Sequence, residues 1–299
     1  MQIIERNVQK IGQSFLISLP KPWATALKIQ KGSRLKLLID EGKLSIVPEF
    51  VKEAEKKKEI AMAFDRHFRL RFFRAYFEGN EKITFLFKQK ITEKERMQLS
   101  LFLSRFLNVQ VIEETPEKIV VKSFKIEELS IEECLQRMHF LLLNLFDEAA
   151  SGSNLAKLKE PRETLLRFYY LLVMQVRRFL SEGKFAEENQ ISLIRAMDYR
   201  MVAEKINRIA EMLIIQKEEI ELQKLLIEYK QEYAQAYQHF LHNEHEKASE
   251  LYFQVLDSEN KQEKLLGKII LKKNFASYRQ VLRSGQILRH VKEICMLTK

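Results

Sequence analysis

The sequence predicts a multidomain, mostly α-helical protein with a small β-rich region at its N-terminus. Only 8 Gly and 5 Pro occur in 299 residues, which favours long helices over a loop-rich or mainly β architecture. Strand-length apolar or alternating runs are confined to the first 126 residues, and helical periodicity dominates the remainder. We therefore predict three regions, with residues 1–50 β-rich, 51–126 a small α/β domain and 127–299 a helical domain.

The surplus positive charge lies entirely in the first two regions. Residues 1–50 carry 8 Lys/Arg against 4 Asp/Glu, residues 51–126 carry 17 against 11, and residues 127–299 carry 26 against 26. A basic region favours phosphate-bearing partners because binding releases counterions, although charge also serves solubility. The asymmetry indicates nucleic-acid contact in the basic part and a different role for the balanced helical part.

The first fifty residues read as two pairs of strands around a short helix. The predicted strands are Ile3–Ile11, Ser14–Leu19, Arg34–Ile39 and Leu44–Val47, and the predicted helix is Pro22–Leu27. Gly12 separates the first pair, and the sequence of residues 40–43 is typical of a hairpin turn for the second. Because fifty residues bury little core alone, we expect this unit to self-associate.

The second region alternates helix and strand. Residues 51–59 are a charge run, interpreted as a linker or as the exposed start of the next helix. The predicted elements are a helix over Ile60–Phe77, a strand over Lys82–Phe87, a helix from a capping box at Thr92 to Leu107, and strands over Val109–Ile112 and Lys118–Phe124. The segment Phe64–Phe77 interleaves Arg with aromatic residues, which suits single-stranded nucleic acid. Its aromatics spread around the helix, however, so a helix buried on two sides is the favoured interpretation.

The third region shows helical periodicity throughout. Helices are predicted over 130–150, 161–181, 185–215, 218–243, 245–272 and 275–297, the first opened by a capping box at Ser130. The breaks fall at 151–153, Pro161, Gly183, the polar stretch around Asn243, and Asn274. Six helices divide into two three-helix bundles, about 127–216 and 217–299.

Cysteine usage and the absence of known motifs narrow the function further. Cys134 and Cys295 are far apart, which argues for free thiols in a reducing compartment. No apolar run approaches the length of a membrane span or the core of a signal peptide, so we expect a cytoplasmic protein without membrane insertion. No nucleophile, phosphate-loop or paired-cysteine motif occurs, so we do not expect an enzyme.

The segment from Arg6 to Trp23, RNVQKIGQSFLISLPKPW, resembles the AbrB/MazE/SpoVT family of swapped-hairpin DNA-binding domains. The following Leu27–Leu35 segment fits the family's passage from helix to strand. The resemblance implies an interlocked dimer that presents basic residues to double-stranded DNA. On the family's pattern, the DNA-contacting positions are Arg6, Lys10, Gln13, Ser14 and Lys21, with Gln13 standing where bacterial members often have Arg.

The helical region resembles the PhoU family of phosphate-signalling regulators. Leu129–Met138 is similar to the start of its first helix, and Ala203–Glu211 and Gln286–Ile294 are similar to two copies of its signature helix. An AbrB-type domain followed by an α/β segment and PhoU-like bundles is similar to the arrangement of archaeal PhoU-related regulators. The resemblance implies a partner from phosphate transport or signalling.

The signature helices depart from the family at the metal-binding carboxylates. Glu204 remains, but Arg208, Gly285 and Arg289 replace the other acidic positions. Arg cannot ligate a cation, so we expect no divalent metal at these sites. The Arg residues inside the bundles are candidates for binding an anion such as phosphate; ion pairs with neighbouring Glu are the favoured alternative.

A weak metal-binding candidate lies near residue 242. His239, His242 and Glu246 have spacings of three and four, which place them on roughly one helix face. The segment also reads as a polar helix end, and we expect no cofactor here.

These observations predict a dimeric DNA-binding transcriptional regulator with a helical sensing or partner-binding domain. The alternative is a PhoU-type signalling adaptor that binds a transporter or kinase and uses its N-terminal domain only to dimerise. An antitoxin is a third interpretation, but it requires a disordered toxin-wrapping tail, and the sequence ends in an amphipathic helix.

Overall fold

The computed structural model describes residues 4–40, 43–48, 59–126, 129–182, 191–214, 220–271 and 275–298. Its strands are β1 (Gln9–Ile11), β2 (Ser14–Leu16), β3 (Leu35–Asp40), β4 (Lys43–Pro48), β5 (Glu59–Ala63), β6 (Lys82–Leu86), β7 (Val109–Glu114) and β8 (Lys118–Ser123). Its helices are α1 (Lys21–Ala26), α2 (Phe68–Phe77), α3 (Glu93–Leu103), α4 (Ile131–Ala150), α5 (Leu155–Glu182), α6 (Leu193–Met212), α7 (Ile220–His242), α8 (His245–Leu271) and α9 (Phe275–Met296). The predicted class, mostly helical with a small N-terminal β region, is confirmed.

The N-terminal region consists of two separate hairpins on either side of α1. β1 pairs antiparallel with β2, and β3 pairs antiparallel with β4. Asp40 faces Lys43 at the end of the second hairpin, as the predicted turn requires, and residues 41–42 lie outside the described part of the chain. The predicted linker at 51–58 also lies outside it.

The middle region is a four-stranded sheet of order β5-β6-β8-β7. β5 and β6 are parallel, and β8 runs antiparallel to both of its neighbours. Aromatic side chains join the sheet to its helices: Phe72 of α2 stacks on Phe85 of β6 at 5.9 Å between ring centroids and meets Phe102 of α3 edge-on at 5.3 Å. The core of this domain is therefore largely aromatic.

The prediction of one helix over Ile60–Phe77 is wrong in its first part. Residues 59–63 form β5 because β6 supplies a parallel partner, a non-local pairing that outweighs the local helical pattern. The carboxylate of Asp65 accepts hydrogen bonds from His67 N at 2.8 Å and from Arg71 Nη2 at 2.7 Å. This turn delays the start of α2 to Phe68.

Capping boxes place the starts of two helices where the sequence predicts them. At Thr92 and again at Ser130, the hydroxyl accepts from the amide three residues on, and that residue's carboxylate accepts from the cap amide. The predicted end of α3 at Leu107 is wrong, because the helix ends at Leu103 and Ser104 is its C-cap.

The helical region contains two sets of three mutually contacting helices. α4, α5 and α6 contact one another, and so do α7, α8 and α9; contacts of α4 with α7 and of α6 with α9 join the sets. The predicted breaks at 151–153 and near Asn243 are confirmed, and Asn243 has a φ of +54°. The predicted break at Pro161 is wrong. α5 continues through it, with Leu158 and Leu165 fully buried on either side.

Two further predicted breaks, Gly183 and Asn274, lie outside the described residues, as do positions 185–190 of a predicted helix. Cys134 and Cys295 are free and buried, and burial raises the pKa of each thiol to about 12. None of the described helices is long and apolar enough to cross a bilayer.

Aromatic rings also dock the α/β domain on the helical region. Tyr170 of α5 stacks on Phe106 at 5.2 Å between centroids and contacts Phe73 of α2 at the same distance. Arg105 Nε lies 3.8 Å from the carboxylate of Glu163 beside this contact. The α/β domain and the helices consequently share one hydrophobic core.

Candidate nucleic-acid interface

The first hairpin is closed by a turn that needs glycine. Ile11 pairs with Ser14, so Gly12 and Gln13 are the two residues of the loop. Gly12 has a φ of +62°, the conformation that a type II′ turn requires at its first central position. Gln13 is thereby held at the tip of the hairpin, and Ser14 begins the second strand.

The structure brings three of the five predicted DNA-contacting residues together. Lys10, Gln13 and Ser14 lie on the β1–β2 hairpin, all of them exposed. Arg6 is exposed in the segment that precedes β1, where its Nη1 donates to Glu5 O at 3.1 Å. Lys21 is the exposed first residue of α1, beyond residues 17–20, so it is not part of the hairpin.

Lys10 combines positive charge with an apolar neighbour. Its cross-strand partner is Phe15, and Lys10 Nζ lies 5.9 Å from the centroid of that ring. Phe15 itself is 72% exposed. Basic and apolar groups therefore occur side by side on the same small hairpin.

Large apolar side chains are exposed in the described part of the N-terminal region. No residue of 4–48 whose exposure is described is buried. The most exposed large apolar residues here are Val8, Ile11, Phe15, Ile17, Leu37 and Leu44. Isolated two-stranded hairpins are marginally stable in water. The region is therefore incomplete as a folding unit until another surface covers these side chains.

Comparison with known proteins agrees with this geometry. Residues 8–54 match the family model described as "Antidote-toxin recognition MazE, bacterial antitoxin". The chain has an N-terminal domain of MazE/AbrB type. The match covers both hairpins and α1 and leaves the remainder of the chain unassigned. No curated protein and no solved structure matches the chain.

The two signature-helix arginines do not lie inside the bundles, so that expectation is wrong. Arg208 and Arg289 are exposed on α6 and α9 because the buried faces of these helices are formed by other residues. Arg208 Nη1 lies 3.5 Å from Glu211, and Arg289 Nε lies 3.7 Å from Glu293. Both contacts are of the kind that the favoured alternative, ion pairs with neighbouring Glu, predicts.

Glu204 is half-buried between α5 and α6. Glu204 acts electrostatically on Tyr169 of α5. The pKa of Tyr169 is raised first by burial and second by the negative charge of Glu204. Arg200 and Arg208 oppose this rise in the pKa of Tyr169, so two cations and one carboxylate lie near this tyrosine. A divalent metal site here would need more oxygen ligands than the one carboxylate of Glu204.

The candidate metal residues do not share a helix face. α7 ends at His242 and α8 begins at His245, so Glu246 lies beyond a helix break. His239 Nδ1 instead lies 2.7 Å from the carboxylate of Glu244. Within the described residues, no group of three or more His, Cys, Asp or Glu side chains is arranged to hold a metal ion.

The aromatic residues of α2 serve the core, as the favoured interpretation of that segment states. Phe68, Phe72 and Tyr76 are buried. The guanidinium of Arg69 lies 5.7 Å from the Phe68 centroid and 5.8 Å from that of Phe102. These rings are not available to stack on bases.

Two arginines that sequence reasoning did not single out occupy special environments. Arg195 Nη2 donates to Phe240 O at 2.9 Å and Leu241 O at 3.2 Å, which ties α6 to the end of α7. Arg162 Nη1 on α5 is buried with no hydrogen-bond partner, and burial lowers the pKa of this guanidinium. A buried donor without an acceptor is a candidate contact for an anion or a partner's carboxylate. Only tertiary packing distinguishes these two from the other arginines of the sequence.

Proposed function

We propose that the protein is a dimeric DNA-binding transcriptional regulator. The observation that carries the proposal is the N-terminal region of MazE/AbrB type, where exposed apolar side chains of two hairpins lie close in sequence to the exposed cations Arg6, Lys10 and Lys21. Pairing of two copies covers the apolar side chains. The same pairing doubles the number of cations on one surface, which favours a phosphate polymer.

In this proposal the phosphate backbone is contacted by Arg6, Lys10 and Lys21 of both copies. Gln13 and Ser14 lie at the hairpin tip and donate or accept hydrogen bonds there. With few base contacts available, specificity comes in part from the shape and deformability of the duplex.

The helical region acts as the sensing or partner-binding part, without catalysis of its own. It is balanced in charge, so it does not compete for DNA. Arg162 is a candidate contact for an anion or an acidic partner, because its Nη1 is buried without an acceptor and burial lowers the pKa of its guanidinium. The PhoU resemblance adds phosphate uptake as the pathway under control.

Two alternatives predict different behaviour. A signalling adaptor uses the N-terminal domain only for pairing and does not need its cations. An antitoxin, the activity named for the matched family, uses a segment after the domain to hold a toxin. Here the described residues from Glu59 onward form an α/β domain and six packed helices, which fits a regulator with a large sensing part better than a toxin-wrapping tail.

The test is the affinity of the full chain for double-stranded DNA, measured by fluorescence anisotropy on genomic fragments that flank the gene. Replacing Arg6→Glu and Lys10→Glu removes four phosphate contacts per dimer and introduces four repulsive charges. We expect the dissociation constant to rise at least about 100-fold near 0.1 M salt.

The control makes the same change of net charge in the helical region. Lys264→Glu with Lys268→Glu alters two exposed residues of α8 and is expected to leave DNA affinity within about threefold. Equal losses for both double variants would reduce the DNA contact to a net-charge effect. No loss for either would favour the adaptor.

A further inference from the structure

The two edges of the four-stranded sheet are built differently. β7 forms one edge and carries a bulge between Val111 and Glu113, followed by Glu114. Bulges and charges are the usual devices that prevent an edge strand from pairing with another chain. β5 forms the other edge, where all five residues pair regularly with β6 and the small residues Ala61 and Ala63 are exposed. Its single charged residue, Glu59, is engaged by Lys82 of β6 at 3.5 Å.

The backbone of β5 presents hydrogen-bonding groups away from the sheet. Phe64 N donates to Leu86 O at 2.8 Å, so the amide at position 64 points toward β6. Backbone groups alternate along a strand, which turns those of Ala61 and Ala63 to the open side. Ala63 O accepts from Arg71 Nη2 at 2.7 Å on that side, in agreement with this alternation. No described strand pairs with the open side of β5.

A groove of about 500 Å³ runs beside this edge, between β5 and α2. Its helix side is formed by Arg71, Arg74, Ala75 and Glu78. Arg71 Nε is buried there without a hydrogen-bond partner, and Arg74 Nε lies 3.0 Å from Glu78. An open strand edge and a groove with an unsatisfied donor are thus adjacent.

We propose that β5 pairs antiparallel with β5 of a second copy of the chain, with Ala61 opposite Ala61 of the partner subunit. A two-fold axis passes through this pair, so the amide of each Ala61 donates to the carbonyl oxygen of the other. The same axis places Glu59 opposite Ala63 of the partner subunit. The open-side backbone groups of Glu59, Ala61 and Ala63 then have partners; Ala63 O, which already accepts from Arg71 Nη2, accepts a second hydrogen bond from the amide of Glu59 of the partner subunit. The two sheets become one sheet of eight strands.

Charge along α2 identifies a second copy as the occupant. The same axis sets the two α2 helices antiparallel on one face of the joined sheet. Along α2 the order is Arg71, Arg74, Ala75 and then Glu78 at the C-cap, so the reversed copy brings its acidic end toward Arg71. Each Arg71, already paired with Asp65 at 2.7 Å, gains Glu78 of the partner subunit as a second carboxylate, and small Ala75 permits close approach at the centre. A peptide of arbitrary sequence has no such self-complementarity.

The pairing goes beyond the proposed N-terminal dimer and is compatible with it. Ten residues separate Pro48 from Glu59. Ten residues reach at most about 36 Å, so two chains joined at their N-terminal domains keep their β5 strands at high effective concentration.

A cysteine cross-link tests the pairing in the full chain. Residues opposite each other in a hydrogen-bonded antiparallel pair have Cα atoms about 5.5 Å apart, within disulfide range. We expect Ala61→Cys to form a covalent dimer in oxidised glutathione. Val111→Cys is the matched control on the exposed β7 edge and is expected to stay monomeric on the same gel; the two native thiols are buried. Equal cross-linking of the two variants, or none at position 61, would overturn the proposal.

A proline variant tests it without new chemistry. The amide of Ala61 points away from β6, so Ala61→Pro removes no bond within the sheet. We expect sedimentation equilibrium to give at least a tenfold weaker self-association than for wild type, while DNA is still bound at high protein concentration. Val111→Pro on the other edge is expected to leave self-association unchanged. If Ala61→Pro self-associates as strongly as the wild type, the pairing is contradicted. Loss of DNA binding by the variant with Arg6→Glu and Lys10→Glu concerns the proposed function alone.

Discussion

The N-terminal region and the helical region differ in whether they bury any large apolar side chains. Leu145, Phe146 and Ile206 are fully buried in the helices, whereas Val8 and Phe15 of the first hairpin are 63% and 72% exposed. The same class of residue is covered within one chain in the first case and uncovered in the second. The described helices therefore contain a buried apolar core, which they share with the α/β domain, whereas the described N-terminal residues contain none.

Charge follows the same division. The N-terminal and α/β regions carry the whole surplus of +10, and the helical region carries none. In the N-terminal region, cationic and exposed apolar side chains are neighbours, as Lys10 and Phe15 are. We propose on this basis that self-association and DNA contact involve the same small surface.

The same substitution in the two regions is expected to have different consequences. Phe146→Ala leaves a cavity in a packed core, so we expect the free energy of unfolding of the helical region to fall by about 3–5 kcal/mol at every protein concentration. Phe15→Ala is expected to leave that unfolding transition unchanged and to weaken self-association and DNA binding instead. Urea unfolding followed by circular dichroism, with anisotropy for DNA, distinguishes the two.

Equal destabilisation of the helices by Phe15→Ala and Phe146→Ala would contradict the difference between the two regions. A matched control is Phe140→Ala, at a 49% exposed position of the same helix as Phe146, which is expected to cost well under half as much.

Acid is expected to weaken the helical region through one buried histidine. His139 of α4 is stacked on Tyr237 of α7 at 3.8 Å between centroids, and its Nδ1 lies 3.0 Å from Tyr233 Oη. Burial lowers the pKa of His139 to about 4 from an ordinary value of 6.5. Between these values the unfolded chain binds the proton and the folded chain does not, so stability is lost as pH falls from 6.5 toward 4.

The loss amounts to about 3 kcal/mol once pH is below both pKa values. It is measured as the difference in unfolding free energy between wild type and His139→Gln across this pH range. Other groups titrate in both proteins and cancel in the difference. A difference that does not change between pH 7 and pH 4 would show that His139 is protonated without cost in the folded chain.

The smallest expected effects on stability are those of replacing two glycines in the last two helices, and the two effects have opposite signs. A Cβ at Gly285 of α9 would lie 1.8 Å from Nε2 of Gln262, whose amide also donates to Val281 O at 2.6 Å. Gly285→Ala is therefore expected to destabilise the helices by about 1–3 kcal/mol. Gly267→Ala in α8 meets nothing within 4 Å and is expected to stabilise by up to about 1 kcal/mol. Thermal unfolding measures both, and shifts of equal sign would contradict the close approach at Gly285.

Short sequence motifs correctly predicted the features of the fold that depend on residues close together in the chain. Thr92 and Ser130 open helices where their capping boxes predict, because the cap and its acidic partner lie three residues apart in sequence. The hairpin turn at Gly12 is likewise visible, since only glycine readily adopts its φ. Lys10, Gln13 and Ser14 are exposed on the short hairpin that this turn closes, whereas the exposed Arg6 and Lys21 lie outside it.

The features of the fold that the sequence did not predict depend on contacts between residues far apart in the chain. Residues 59–63 are a strand only because β6 lies alongside, and α5 passes through Pro161 because its flanking leucines are buried together. His239 and Glu246 have helical spacing but are separated by the break at Asn243. The open edge of β5 has no signature in the sequence at all, since it depends on which strand ends the sheet.

The most direct test of the coupling between the N-terminal region and DNA is the salt dependence of binding. Fluorescence anisotropy of labelled duplex is measured from 50 to 300 mM salt with the full chain and with a chain beginning at Glu59, whose helical content is first checked by circular dichroism. Six cationic contacts in a dimer predict a log–log slope of roughly −5 for the full chain. The account predicts that this slope and the affinity are lost together in the shorter chain. Equal slopes and affinities for the two chains would contradict it.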